Sequence, residues 1–504
     1  MSDLRRPECR LVPLACLVAL AACAGPADKP TITGLAVEAN PNSVLSAFVS
    51  WTTDRPASSA VQFGQLGQLG IAMYEWEIAD DALVTDHRVL VIGLRQRETY
   101  AMKALSRSGG GAVSAELTFT TGPLPPTIPV ATVTVHDRTR AQPGWTLMNI
   151  QKGDGSARAQ SNAPAQAVMY DADGQPVWYA IQGAKPDMGG AISTQLTDKG
   201  VLIGGVTDQG LQTQESPREV DFAGNTLWAC ATPTCGTGGQ ISHNARKLPN
   251  GHYLVMSDVV TNGVTCPSFI ELDPNQGNKI VWSLNYCQLV PPPAGATGDW
   301  CHGNAITVDI ARNAVYANCR WVGLVKATYV NPTLLWQLPA AYGARGTGDM
   351  TFVPAEAQFS DTHDPEIHDD GTILFFDNGG WSGIPGEEGN PHGFQSRAVE
   401  YRIDEAKRSA TLAWEFPGTF TGLAPWYTTQ LYVPFWGDAD RLPNGNVLVT
   451  AGRRGATSQS RVFEVGNSDG QIVWEFLLPP DFGVYRADRI TPPLVRALDG
   501  DAPE

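Results

Sequence analysis

The sequence predicts an all-β chain, a six-bladed β-propeller preceded by a small β-sandwich, and three observations predict it. Gly and Pro supply 89 of the 504 residues, 52 and 37 respectively, with no G-x-y period, which suits many short strands and tight turns better than long helices. Residues 30 to 122 carry short runs of alternating apolar and polar residues, the mark of half-buried strands. Beyond them a unit ending in an apolar residue before tryptophan recurs six times, and a fixed unit of that size marks a repeat architecture. Composition sets outer bounds on function. At 42% hydrophobic and 17% charged, the chain can bury a large core, which excludes wholesale disorder and a coiled coil. Lys and Arg number 35 against 51 Asp and Glu, a net charge of -16, so the basic footprint that nucleic acid requires is missing.

The elements follow in chain order. Arg5, Arg6 and Arg10 form a basic stretch, Leu11 to Leu20 an apolar one, and Leu20-Ala21-Ala22-Cys23 ends it with small residues before a cysteine. Residues 1–22 thus look like a bacterial lipoprotein signal, with cleavage before Cys23, lipidation of its thiol and a tether over 23–29. That implies export and a lipid anchor in the cell envelope, on the periplasmic side or in the outer membrane. The anchor is the expected membrane contact, because no later stretch reaches the ~20 apolar residues of a spanning helix. Residues 30–122 then carry Leu45 to Trp51, His87 to Leu94, Thr99 to Leu105 and Ala115 to Thr121 as strands. Their spacing resembles a fibronectin type III module, with Trp51 a core anchor and Tyr100 a corner tyrosine. Residues 123–129, rich in proline, are a semi-rigid linker.

Residues 130–480 hold the repeat. Its closing tryptophans are Trp178, Trp228, Trp282, Trp336, Trp414 and Trp474, spaced 50, 54, 54, 78 and 60 residues apart. Leu248-Pro-Asn-Gly251 leading to Trp282 and Leu442-Pro-Asn-Gly445 leading to Trp474 show the shared pattern. Four strands per unit at that period suit propeller blades, which close radially and so expose little sheet edge. Residues 481–504 read as a C-terminal tail. Six cysteines follow the leader: Cys230, Cys235, Cys266, Cys287, Cys301 and Cys319. An even number in an oxidising compartment suggests three disulfides, and sequential pairing is the expectation. A zinc site is the rival, disfavoured because no C-x-x-C pair exists; no metal or cofactor is expected.

In a propeller the first strand of each unit lines the channel, so units aligned on the turn glycine compare equivalent positions. His243 lies eight residues before Gly251, and His363 eight before Gly371. His302 opens the corresponding strand of the fourth unit, in Asp299-Trp-Cys-His-Gly-Asn304. Arg320 follows that unit's second strand, and a disulfide between Cys301 and Cys319 would hold the neighbours of His302 and Arg320 together. Asn304, two residues past His302, is a candidate to orient substrate.

With the lipoprotein-type leader, the six Trp-closed units, the eighteen-residue step from His302 to Arg320, and His363 before Gly-Thr-Ile-Leu-Phe-Phe-Asp-Asn-Gly379, the chain resembles the bacterial aryl-sulfate sulfotransferase family over roughly 130 to 480. The resemblance implies transfer of a sulfuryl group from an aryl sulfate donor to a phenolic acceptor, without 3'-phosphoadenosine 5'-phosphosulfate. His363 falls on its nucleophile, and His243, His302 and Arg320 on its sulfuryl-binding residues. The chemistry suits them. A neutral imidazole can form a sulfohistidine intermediate, a guanidinium fork matches the charged oxygens, and a histidine near its ordinary pKa of ~6.5 can act as acid and base. The family's N-terminal β domain need not look like this one, and six cysteines in these positions are not what the family leads one to expect. The other reading of the whole is a non-catalytic, lipid-anchored propeller that binds envelope proteins.

Overall fold

The computed structural model of the chain describes residues 29–67, 70–109, 111–152, 165–182, 193–204, 217–230, 235–340, 349–379, 395–417, 431–433, 436–452, 459–480 and 482–498; the leader and Cys23 lie outside the described residues. Among the described residues strands dominate, and the few helices are single turns. No helix among them is long and apolar enough to cross a membrane.

Near the N-terminus, Ala47–Gln65 and Trp76–Val91 are the long strands of one sheet that also takes Ile32–Ala39, Thr99–Ser108 and Gly111–Thr120. The segment expected as a small β-sandwich forms one hydrogen-bonded sheet. Ala47–Gln65 pairs with Ile32–Ala39 along its first half and with Thr99–Ser108 along its second, and its register against Trp76–Val91 breaks at Thr52, Ala57 and Ser59. Bulges of this kind let one strand serve two neighbours by bending it. Trp51 is buried and stacks on His87 at 4.8 Å, with Nε1 donating to Ser106 Oγ at 2.9 Å. The Tyr100 hydroxyl accepts from the Arg95 amide at 2.7 Å.

From residue 132 onward six further sheets, antiparallel except for short parallel additions at Gly298–Asp299 and Thr351–Val353, follow in chain order among the described residues, an arrangement consistent with a propeller-like fold. Their first strands lie side by side: Ser193–Leu196 against Gln240–Lys247, then Gly303–Asp309, Thr362–Ile367 and Asp438–Arg441. Both ends of this stretch close the circuit. Thr132–His136 joins the sheet of Ile472–Leu477 as its outer strand, and Ala487–Ile490 pairs with Trp145–Lys152 in the opening sheet. The expected C-terminal tail is therefore partly strand. Its Arg496–Ala497 also adds to Trp76–Val91 and binds the N-terminal sheet to the rest.

Five of the six recurring tryptophans latch one sheet to the next, Trp336 being the exception. An indole N–H inside a core normally finds an acceptor, and these five find it one repeat along. Trp178 donates to Phe222 O at 2.9 Å, Trp228 to Asn278 Oδ1 at 2.7 Å, Trp282 to Tyr329 O at 2.7 Å and Trp414 to Asn467 O at 3.2 Å. Trp474 completes the series by donating to Ala172 O, 302 residues back, at 2.9 Å. Between strands, Gly251 and Gly445 sit at φ 84° and 87° with open space around them, so backbone conformation and not crowding calls for glycine there. The three disulfides join Cys230 to Cys235, Cys266 to Cys287 and Cys301 to Cys319.

Candidate active site

Three neighbouring first strands carry the same irregularity. Register shifts fall between Ser242 and Ala245, between Gly303 and Ala305, and between His363 and Glu366. His243 and Asp364 lie within the first and third of these shifts and His302 stands just before the second, with φ of 39°, 37° and 55°. Non-glycine residues rarely take that conformation, and bulges that impose it re-aim side chains beside functional sites. The effect is convergence: the rings of His243 and His302 meet edge to face with centroids 4.9 Å apart. His363 joins them through Tyr485, whose ring stands 5.7 Å from His363 and 6.1 Å from His243.

His363 is buried and its ring is held in one orientation. Asn378 Nδ2 donates to the carbonyls of Val433 and Trp436 at 2.7 and 2.6 Å, which fixes its amide the other way round toward the histidine. Asn378 Oδ1 then faces His363 Nδ1 at 2.6 Å and can only accept, so Nδ1 carries the proton and Nε2 a lone pair. Burial, followed by the nearby Arg320 cation, drives the His363 pKa well below the ordinary 6.5, against a smaller upward pull from Asn378. His243 is likewise pushed well down, first by burial and then by His302, with Asp299 opposing. Neither can easily hold a second proton.

Arg320 is anchored beside this pair of strands. Its amide donates to His302 O at 2.9 Å, and its guanidinium pairs with Asp361 Oδ2 at 3.1 Å. The Cys301–Cys319 bond joins the residues directly before His302 and Arg320. His302 has its own carboxylate: Asp299 Oδ2 lies 2.5 Å from Nδ1 while Oδ1 accepts from the His302 amide at 3.0 Å. Burial raises the Asp299 carboxyl, but the His302 hydrogen bond and charge outweigh it and leave the pKa below its usual value. A carboxylate in that position fixes the tautomer and supports a proton on the far nitrogen.

The structure thus brings His243, His302, Arg320 and His363 into one cluster. Asn304, expected to orient substrate, is hydrogen-bonded at both polar ends of its side chain. Its amide donates to Thr362 O at 2.7 Å and accepts from Asn318 Nδ2 at 2.8 Å, so both polar ends tie together the strands that carry His302, Arg320 and His363. Several contributors escaped sequence reasoning. Asp299 and Asn378 sat inside the quoted stretches around His302 and before Gly379 but lacked a histidine's obvious chemistry. Tyr485 and Arg486 lay in the supposed tail. Arg486 is buried, pairing with Asp364 Oδ2 at 2.9 Å and donating to Asn304 O at 2.9 Å. The signal that could have found them is the need of a closed ring for a returning strand.

Together the cluster offers a neutral imidazole with a free lone pair, a buried guanidinium and a histidine–carboxylate pair. Such a set can attack and hold an anionic, electrophilic centre. Comparison with known proteins finds that residues 130–486 match the arylsulfotransferase (ASST) family. No curated protein matches the sequence. Among solved structures, a quinonprotein alcohol dehydrogenase-like protein from Bacteroides thetaiotaomicron aligns at 10% identity and TM-score 0.34, covering 88% of this chain and 94% of that one. The computationally designed Ika8 protein aligns at 10% identity and TM-score 0.32, covering 71% and 99%. Likeness at that level carries neither fold nor function across.

Proposed function

The chain belongs to the arylsulfotransferase family, the matched residues 130–486 being well over half of its 504, and from that premise we propose that it moves a sulfuryl group from an aryl sulfate to a phenol through a sulfohistidine on His363, without 3'-phosphoadenosine 5'-phosphosulfate. The observation that carries the nucleophile's identity is the hydrogen bond from His363 Nδ1–H to an Asn378 that two carbonyls hold in place. It presents Nε2 as a lone pair inside a cationic cluster.

In the first half-reaction Nε2 forms a bond to sulfur as the sulfur–ester oxygen bond breaks, and that bond's electron pair leaves on the phenolate. Arg320, His243 and His302 face the three terminal oxygens, where charge spreads in a loose in-line transition state. His302, braced by Asp299, passes a proton from Nε2 to the departing phenolate and takes one from the acceptor phenol in the second half-reaction. There the acceptor oxygen bonds to sulfur and the sulfur–nitrogen pair returns to His363. Asn304 enters as a positioning residue that sets His302 and His363 at a fixed separation. In the same reading the six sheets are six blades and Cys23 is a lipidated anchor. Three disulfides, and no spanning helix among the described residues, fit an exported protein. A scaffold without chemistry is not favoured, since it gives the oriented His363 no task.

The test is release of 4-nitrophenol from 4-nitrophenyl sulfate by the mature protein, with and without phenol, for wild type and His363→Ala. The expected result is phenol-dependent release that vanishes in the variant. Equal release from both proteins would remove His363 from the mechanism.

A further inference from the structure

We infer that Tyr485 is a further catalytic residue, a neutral hydrogen-bond donor to the ester oxygen of the aryl sulfate; the inference rests on the sulfuryl transfer proposed above. Four tyrosines are fully buried: Tyr170, Tyr286, Tyr401 and Tyr485. The first three each donate to a main-chain carbonyl, Pro129 O at 2.9 Å, Gly323 O at 3.1 Å and Ala357 O at 2.6 Å. The Tyr485 hydroxyl is as deeply buried, yet its proton meets no acceptor among the described residues; its polar neighbour Arg486 can only donate. A buried hydroxyl in a native protein is normally satisfied, and an exception calls for a missing partner.

Its position says which partner. The ring stands edge-on to His363 at 77°, tilted 60° to His243, and is backed by Trp436 at 5.9 Å. The Tyr485 ring thus packs directly against the residue proposed to attack sulfur. Donors for the three terminal oxygens of a sulfate already exist in Arg320, His243 and His302. The fourth oxygen, the ester's, is where charge develops as the bond to sulfur stretches, and a preorganised donor there acts most strongly in the transition state. Burial raises the phenol pKa, and the Arg486 cation, 5.1 Å over the ring, only partly offsets it. Tyr485 consequently keeps its proton throughout. It shares a hydrogen bond with the leaving oxygen while that oxygen takes the electron pair from sulfur, and the proton that later neutralises the phenolate comes from His302.

Such a role makes the rate depend on the leaving group. The charge on 4-nitrophenolate is delocalised into the nitro group and needs the donor little, whereas unsubstituted phenolate needs it most. Wild type and Tyr485→Phe are compared on 4-nitrophenyl sulfate and phenyl sulfate with one common acceptor. The variant's kcat/KM is expected to fall about 100-fold on phenyl sulfate, the scale of losing one oxyanion donor, and several-fold less on the nitrophenyl ester. The ratio of the two rates is taken within one preparation, so partial unfolding leaves it unmoved. An unchanged ratio, or loss of both activities to background, overturns the role assigned to Tyr485 while wild-type transfer keeps the parent proposal standing. Absence of transfer by wild type overturns both.

Discussion

His363 and His302 are both held at Nδ1, but by partners of different charge, and the difference divides their work. A neutral amide holds His363, so its ring gains little from charging. A carboxylate holds His302 and fixes its ring orientation and tautomer. Because the folded-state pKa of His363 lies well below 6.5, the neutral nucleophile is fully present above that value and is lost only as pH falls through the lower one. Nitrophenol release in the presence of phenol should accordingly show no decline from His363 protonation as pH drops through 6.5. Asn378→Ala frees the tautomer and should lower kcat about 10- to 100-fold, the usual effect of losing a group that orients a reactive histidine. A decline centred on 6.5 that is traceable to His363, or an Asn378 variant with wild-type kcat, would contradict this assignment.

At the scale of strands and links, the Cys301–Cys319 bond and the bulge at His302 act on the same corner of the site. Replacing both cysteines by serine removes a constraint on a loop of 18 residues, for which the chain-entropy estimate is about 3 kcal/mol of stability, measurable by denaturant unfolding. It should also raise KM for the aryl sulfate, because His302 and Arg320 lose their common tether. Breaking the Cys230–Cys235 bond should cost stability and leave KM alone; an equal rise in KM from both variants would show the effect to be general loosening. These links also mark what sequence could disclose. The three disulfides match the sequential pairing that spacing suggested but could not fix, and two histidines, His243 and His363, stood out by their common offset before a turn glycine. The bulges were not legible, because nothing in a single sequence says where a ladder skips a residue. Asn304 was legible as a neighbour of the site but not as a strap, since its role depends on Thr362 and Asn318, fourteen or more residues away.

For the whole molecule, the tryptophan repeat disclosed a propeller-like succession of sheets, because five of the six indoles find their acceptor one unit on, which calls for like units. Closure was hidden, since the strand that completes the opening sheet is separated from it by more than 300 residues. The N-terminal sheet was visible as strands but not as one bent ladder, a matter of pairing and not of pattern. Deleting residues 482–498 should abolish transfer and replace a single sharp melting transition by a broad one, followed by circular dichroism. A deletion variant that melts like wild type would show that the circuit closes without Ala487–Ile490.

That late closure has a consequence in time. Ribosomes make the chain from its N-terminus, so His243, His302, Arg320 and His363 all emerge before Tyr485, Arg486 and the strand that seats them. A nascent chain, however far along, holds a gapped site. Competence to turn over substrate arrives with the last few dozen residues, and a prematurely terminated copy is silent by construction.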